Sequence, residues 1–189
     1  MLILLRHGRT AENAAGLLQG RIDNPLDDVG RRQAEQVAAS IGPVDEIISS
    51  SLSRAVETAA MFGVPGIIDD RWIEVDYGEY DGRPLTDVPL DVWAAWRTDP
   101  GFVPPGGESM HAMDQRVRAA AADALEAARD RTVVVVSHVS PIKAAISWAL
   151  GGDISMSWRC HLDQAAVCRI APDPTGPVVR SFNEVLYVR

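Results

Sequence analysis

The chain has 189 residues, a length that suits one domain built around a single large core. Its net charge of −8, from 18 basic and 26 acidic side chains, disfavours nucleic acid and anionic membranes as partners. No apolar run approaches the ~20 residues that span a bilayer, and the first residues do not resemble a signal peptide. We therefore expect one cytoplasmic domain over residues 1–189, with any anionic ligand held in a local positive pocket.

Short apolar runs, typical of buried strands, alternate along the chain with helical patterns. The predicted strands are residues 2–5, 44–48, 133–136, 165–170 and 178–188. The predicted helices are residues 30–41, 52–62, 110–129 and 141–150. Asp27 or Asp28 is expected to cap the first helix, a serine the second and Ser109 the third. Residues 72–108 are rich in Gly, Pro and Trp and are interpreted as an irregular excursion over the sheet.

Strands that alternate with helices indicate a three-layer α/β/α fold with a mostly parallel sheet. In such sheets, ligands bind at the carboxyl ends of the strands. Arg6 and His7 follow the first strand, Arg54 lies in the first turn of the next helix, and His138 follows the strand of four valines. Two guanidiniums and two imidazoles at one edge suit a phosphate, because Arg binds two oxygens in its planar fork and His can accept a phosphoryl group.

Five stretches, in the same order, resemble the histidine phosphatase superfamily, the phosphoglycerate-mutase-like proteins. They are LRHGRTAEN at 5–13, parts of 19–34, SSLSRAVETA at 50–59, GGES at 106–109 and VSH at 136–138. The resemblance implies a phosphoglycerate-mutase-like fold and a phosphohistidine on His7. It also implies that Arg6, Arg54 and His138 bind the phosphoryl group. Asn13 is implied as a further phosphate contact, with a helix-capping or turn role as the alternative.

The resemblance also bears on two neighbours of the phosphate. The family often has glycine after the second histidine, where this chain has Val139; its backbone N–H is kept, so we expect phosphate binding with altered room for substrate. The family's acid lies four residues before a glycine, which selects Glu74 as the proton donor to the leaving oxygen. An exposed loop carboxylate is the alternative for Glu74, and we interpret Glu79 and Asp81 as solvated loop charges.

The function implied is a metal-independent phosphatase that hydrolyses small phosphorylated metabolites. No carboxylate cluster has a magnesium- or zinc-like spacing, so we expect no metal and no cofactor. Cys160 and Cys168 fit neither a disulfide framework nor a zinc pattern and are interpreted as buried hydrophobic residues. Trp93 and Trp96 lie on a further helical stretch, where they line either the substrate entrance or the core.

Two other functions stay open at this point. The long insertions of the glycolytic mutases are missing, which favours hydrolysis, because a mutase must shield its phosphohistidine from water. Within the phosphatases, residues 137–143 and 161–163 look most like the α-ribazole-phosphatase-like branch. The two alternatives to a phosphatase are a cofactor-dependent phosphoglycerate mutase and a catalytically inactive binding or dimerisation module. The sequence leaves the natural substrate and the formation of a homodimer open.

Overall fold

The apolar runs form a six-stranded sheet in the computed structural model, which describes residues 1–188; residue 189 of the predicted domain lies outside that range. The strands are β1 (Leu2–Arg6), β2 (Glu46–Ser49), β3 (Gly66–Ile68), β4 (Val133–Ser137), β5 (Val167–Ala171) and β6 (Val178–Glu184). Their order across the sheet is β3-β2-β4-β1-β5-β6. The first four of these are parallel, and β5 pairs antiparallel with both β1 and β6. The mostly parallel sheet that the sequence predicted is confirmed.

The register of the two central strands places the ends of β1 and β4 side by side. Every residue of both strands is buried, because helices cover both faces of the sheet there. Arg6 lies opposite Ser137, and the backbone N–H of His7 donates to the Ser137 carbonyl at 3.0 Å. The residues that follow the two strands, His7 and His138, therefore emerge as neighbours at the carboxyl edge.

Six α-helices surround the sheet within the described residues. They are α1 (Ala11–Ala15), α2 (Asp28–Ile41), α3 (Ser53–Ala60), α4 (Leu90–Thr98), α5 (Met110–Ala127) and α6 (Val139–Ala149). Leu2 and Leu4 of β1 belong to a core cluster with α4, α5 and α6, whereas Ile3 and Leu5 belong to a second cluster with α2 and α3. Because successive residues of a strand point to opposite faces, this alternation produces the predicted α/β/α layers.

Two of the predicted helix caps are confirmed and one is wrong. Asp27 caps α2 by accepting from the Gly30 N–H at 2.7 Å, and Ser109 caps α5. The serine predicted to cap the second helix does not do so: Leu52 occupies the N-cap position, and no side chain caps that end. The helix start is instead held from outside, since Asp23 accepts from both the backbone N–H and the hydroxyl of Ser53.

Some boundaries differ from the prediction because local patterns carry little signal there. Strand β3 was not predicted, since it is a three-residue edge strand whose isoleucines are about half exposed. The strand expected over 178–188 ends at Glu184. Helix α6 begins two residues before Pro141, with His138 as its N-cap residue. No helix of residues 1–188 combines the length and the apolar character that crossing a membrane would require.

Candidate active site

The loop after β1 fixes the tautomer of the buried His7 ring. Its Nδ1 lies 2.7 Å from the carbonyl oxygen of Gly8, and because a carbonyl only accepts, Nδ1 carries the proton. Burial, followed by the nearby Arg54 and Arg6, holds the pKa of His7 well below its usual value. The ring is therefore neutral near pH 7, with a lone pair on Nε2 that can act as a nucleophile.

Gly8 is required by the close passage of this loop against helix α2. A Cβ atom on Gly8 would lie 2.4 Å from the carbonyl oxygen of Gly30, a distance that real Cβ atoms do not show. The Gly8 N–H donates to Thr58 Oγ1 at 3.1 Å, and the Thr58 hydroxyl donates to the Arg54 carbonyl at 2.7 Å. The loop that carries His7 is thus tied to the helix that carries Arg54.

The second imidazole, that of His138, lies directly beside the first. The two ring centroids are 5.1 Å apart and the rings are tilted by 56°. Arg54 Nε donates to His138 Nδ1 at 3.3 Å, so in this arrangement Nε2 carries the proton and donates to Ser50 Oγ at 2.7 Å. Burial and then Arg54 lower the pKa of His138 well below its usual value. Sequence reasoning gave Ser50 no role, although its place at the carboxyl end of β2 was a signal.

Both predicted arginines are buried beside these rings. Arg54 is fully buried, and its two terminal nitrogens donate to the carbonyl oxygens of Ile22 and Gly20 at 2.9 and 2.6 Å. Arg6 donates to the Leu162 carbonyl at 2.6 Å, whereas its buried Nε has no hydrogen-bond partner among residues 1–188. Burial lowers the pKa of Arg6 to about 10, so its charge persists at neutral pH. An oxyanion would satisfy the Arg6 Nε donor.

Glu74 is buried as well, which excludes the alternative that it is an exposed loop carboxylate. Only 3% of Glu74 is exposed; its oxygens accept from the backbone N–H groups of Val75 at 2.8 Å and Ser140 at 3.3 Å. Burial raises the pKa of Glu74, and these hydrogen bonds and the charge of Arg54 oppose that rise. A carboxyl group with a raised pKa can hold a proton at a pH where an exposed glutamate has lost it.

Several of these groups line a cavity of about 300 Å³. Its lining includes the predicted residues Arg6, His7, Asn13, Glu74 and Val139, together with Gln19, Tyr77 and Gln164, which sequence reasoning did not select. Arg54 and His138 are not part of that lining and contact each other in the protein interior. The structure thus brings the predicted residues together around one cavity and its inner wall.

Asn13 has the capping role that was one of its two alternatives. Its Oδ1 accepts from the Thr10 N–H at 3.2 Å, in a capping box for α1, and its amide nitrogen donates to Gln19 Oε1 at 3.2 Å. The same side chain lines the cavity. The capping hydrogen bond therefore orients the Asn13 amide at the cavity wall.

The interpretation of Asp81 as a solvated loop charge is wrong. Its carboxylate accepts from the backbone N–H groups of Gly20, Arg21 and Ile22 at 2.7, 2.8 and 2.8 Å. Because Gly20 and Ile22 supply the carbonyl oxygens that hold Arg54, Asp81 supports the position of Arg54 through this loop. The other loop carboxylate, that of Glu79, is exposed as expected.

The remaining sequence predictions fall outside this cluster. Trp96 is 1% exposed and belongs to the core. The half-buried Trp93 packs on it, with the two ring centroids 5.3 Å apart. Cys168 is buried and Cys160 half-buried, and both are free thiols. Within residues 1–188, no three His, Cys, Asp or Glu side chains are grouped so that they could hold a metal ion.

Comparisons with known proteins converge on one family. The sequence model of the histidine phosphatase superfamily (branch 1) matches residues 2–185. The chain is 33% identical over 193 residues to phosphoserine phosphatase 1 of Hydrogenobacter thermophilus, covering 96% of this chain and 91% of that protein. It spans only about half, 48%, of several mycobacterial relatives that it matches at 32% identity over 88% of its length.

Solved structures agree with the family match. A mutant phosphoserine phosphatase of Entamoeba histolytica in complex with phosphoserine superposes with a TM-score of 0.89 at 27% identity, covering 97% of this chain and 96% of that one. A mycobacterial glucosyl-3-phosphoglycerate phosphatase with VO3 has a TM-score of 0.85 at 29% identity, covering 96% and 98%. The fold predicted from the resemblance is confirmed.

Proposed function

Since the chain belongs to branch 1 of the histidine phosphatase superfamily, we propose that it hydrolyses small phosphorylated metabolites through a phosphohistidine on His7. The observation that carries this proposal is the tautomer of His7, which leaves the Nε2 lone pair beside two buried guanidiniums. The raised pKa of Glu74 in the same cavity supports an acid role for that carboxyl group.

In the first step, the phosphate of the substrate binds to Arg6, Arg54 and His138, and the two guanidiniums offset its negative charge. The His7 Nε2 lone pair attacks phosphorus as the bond to the leaving oxygen breaks. Glu74 gives its proton to that oxygen, so the product leaves as a neutral alcohol rather than as an alkoxide. The Nδ1–H hydrogen bond to Gly8 stabilises the positive charge that develops on the imidazole.

In the second step, water takes the place of the released alcohol. The Glu74 carboxylate accepts a proton from the water as its oxygen attacks phosphorus, and the bond from phosphorus to His7 Nε2 breaks. Inorganic phosphate leaves, His7 regains its lone pair, and Glu74 regains its proton. The cycle needs no metal ion, because the cationic side chains meet the phosphate charge; metal independence is part of this proposal.

Acid-labile labelling of His7 tests the mechanism. Wild-type protein that is mixed with a ³²P-labelled monoester and quenched in alkali should carry an acid-labile phosphoryl group on a peptide that contains His7. The variant His7→Ala should lose both label and turnover, while the exposed His111→Ala control should keep both. A labelled His7→Ala protein, or one with near-normal turnover, would refute the assignment.

The reaction type, the substrate branch, the oligomeric state and the location each have a separate test. The phosphoglycerate mutase alternative predicts transfer of phosphate from 3-phosphoglycerate to a second carbon, and ³¹P NMR would separate this from release of inorganic phosphate. Membership of the α-ribazole-phosphatase-like branch stays a prediction, and turnover of α-ribazole phosphate would test it.

A homodimer is tested by sedimentation, and a cytoplasmic location by fractionation of cells that contain the protein.

A further inference from the structure

A second cavity, of about 180 Å³, adjoins the catalytic one and shares Tyr77 and Val139 with it. Its other lining residues are Trp93, Met110, Ser140, Lys143, Ser157 and Trp158. We call it the tryptophan cavity. None of these described lining side chains is acidic, although the chain has eight more acidic than basic residues. The cavity therefore combines an apolar, aromatic wall with a single formal charge, that of Lys143.

Lys143 is the only lysine of the sequence, and it is half-buried on α6. Within residues 1–188, its ammonium forms no ion pair and no hydrogen bond. Burial lowers its pKa, and the charges of Arg6 and Glu74 act on that pKa in opposite directions, so the ammonium lies within electrostatic reach of the catalytic groups. A half-buried cation without a partner is unfavourable, and an anionic ligand group would relieve that cost.

The aromatic wall is fixed and has a second cation at its outer side. Trp93 packs edge-on against Trp158, with ring centroids 6.4 Å apart, and against the buried Trp96. The exposed Arg97 lies over both Trp93 and Trp158, 5.9 and 5.7 Å from their ring centroids. An aromatic wall favours a flat or apolar ligand body, and the Lys143 ammonium inside the cavity favours an anionic group on that body.

We propose that the tryptophan cavity binds the alcohol part of the substrate and selects phosphomonoesters with a flat or apolar body that ends in a carboxylate. The inference rests on the proposed phosphatase function, because the phosphate of the same molecule must lie beside His7. Val139, at the position where the family often has glycine, lines both cavities and so lies where they meet. An alcohol that carries a free ammonium group finds no acidic partner in this cavity.

A pair of matched esters tests the selection. 4-Carboxybenzyl phosphate and 4-carbamoylbenzyl phosphate share their shape and their benzylic leaving oxygen, but only the first carries an anion. We expect wild-type kcat/KM to favour the carboxylate by about tenfold, the discrimination of one charge-assisted hydrogen bond. The ratio should fall toward one in Lys143→Met and persist in Lys143→Arg. In the control Arg83→Met, which removes an exposed arginine that stacks on Tyr80 outside the cavity, it should be unchanged.

Binding near Lys143 can also be measured directly on the wild-type protein, so this test does not depend on the folding of a variant. Reductive ¹³C-methylation keeps the charge and labels one side-chain amine, that of Lys143, together with the distant Met1 amine, which donates to Ala128 and Arg131. Titration with 4-carboxybenzylphosphonate should shift the Lys143 methyl resonance and leave the Met1 resonance in place. The carbamoyl analogue should shift it much less.

The outcomes separate this inference from the function beneath it. Three results would overturn the carboxylate assignment: a wild-type kcat/KM ratio near one for the two esters, a ratio that persists in Lys143→Met, or a Lys143 resonance that does not move. In each case, labelling of His7 by p-nitrophenyl phosphate would still support the phosphatase proposal. If no ester is turned over and none labels His7, the proposed function is overturned, and this inference is overturned with it.

Discussion

The guanidinium of Arg116 pairs with both carboxylate oxygens of Glu108, with Nε 2.9 Å from Oε1 and Nη2 2.8 Å from Oε2. The same guanidinium donates to the backbone carbonyl oxygens of Arg71, Ile73 and Glu74 at 2.8, 2.7 and 3.3 Å. The segment that carries Glu74 lies outside the helices and strands, so regular backbone hydrogen bonds do not satisfy its carbonyl groups. One side chain of α5 therefore satisfies its carbonyl groups and fixes the position of the Glu74 backbone.

Replacement of Arg116 by Lys should loosen that segment, because an ammonium cannot reproduce the planar fork. We expect the free energy of unfolding to fall by about 2 kcal/mol, from lost hydrogen bonds to a charged group. Turnover of alkyl phosphates should fall more than turnover of p-nitrophenyl phosphate, since only the former need the acid. Arg118→Lys is the control: it disturbs an ion pair with Asp114 on the same helix, so a similar leaving-group dependence there would contradict the positioning role.

Glu74→Gln should show the same dependence on the leaving group, but more strongly. The amide keeps the size of the side chain and cannot give up a proton, so kcat for alkyl phosphates should fall about 10²–10⁴-fold. p-Nitrophenolate leaves largely unaided, and its ester should be affected less in the first step, as a pre-steady-state burst would reveal. Glu79→Gln, on the exposed loop carboxylate, should leave both esters near wild type. The reverse pattern would move the acid role to Glu79.

The two buried imidazoles make stability fall in acid. The pKa values of His7 and His138 are lowered in the folded protein, so below about pH 6.5 the unfolded chain binds protons that the folded chain does not. The free energy of unfolding should then drop by up to about 1.4 kcal/mol per pH unit for each histidine. The raised pKa of Glu74 opposes this, because the folded protein takes up that proton at a higher pH. Urea unfolding between pH 7 and 5 measures the slope.

A variant pair identifies the source of that slope. His138→Gln should reduce the acid loss, whereas the exposed His111→Gln should not. An unchanged slope in His138→Gln would mean that the acid sensitivity arises elsewhere.

Vanadate and phosphate should bind the pocket without any metal ion. An anion at 100 times its dissociation constant would stabilise the folded protein by about 2.7 kcal/mol and raise its Tm. EDTA should leave turnover and this shift intact, because the proposed anion ligands are arginines and histidines rather than a metal ion. Arg54→Lys should weaken the shift. Activity that disappears on chelation and returns with added metal would contradict the proposal.

The sequence by itself determined most of the sheet and the strand ends that carry the candidate site residues. The buried runs before Arg6 and Ser137 and the helical pattern around Arg54 are local features, and a parallel sheet brings strand ends of this kind to one edge. The motifs around them selected His7 and Glu74. Those residues could be predicted because their neighbours in the chain carry the signal.

The tertiary structure decided what holds and surrounds these groups. Asp81 supports the loop of Gly20 and Ile22 from about 60 residues away along the chain, and Ser50 bonds to His138 across 88 positions. The tryptophan cavity joins helices α4 and α6 to the segment after α6. The path of residues 72–108 has no periodic pattern, because it depends on contacts with distant elements rather than on local backbone preference. Such contacts exist only once the chain has packed. For this reason the prediction for Asp81 from sequence was wrong, and no prediction was possible for the surroundings of Lys143.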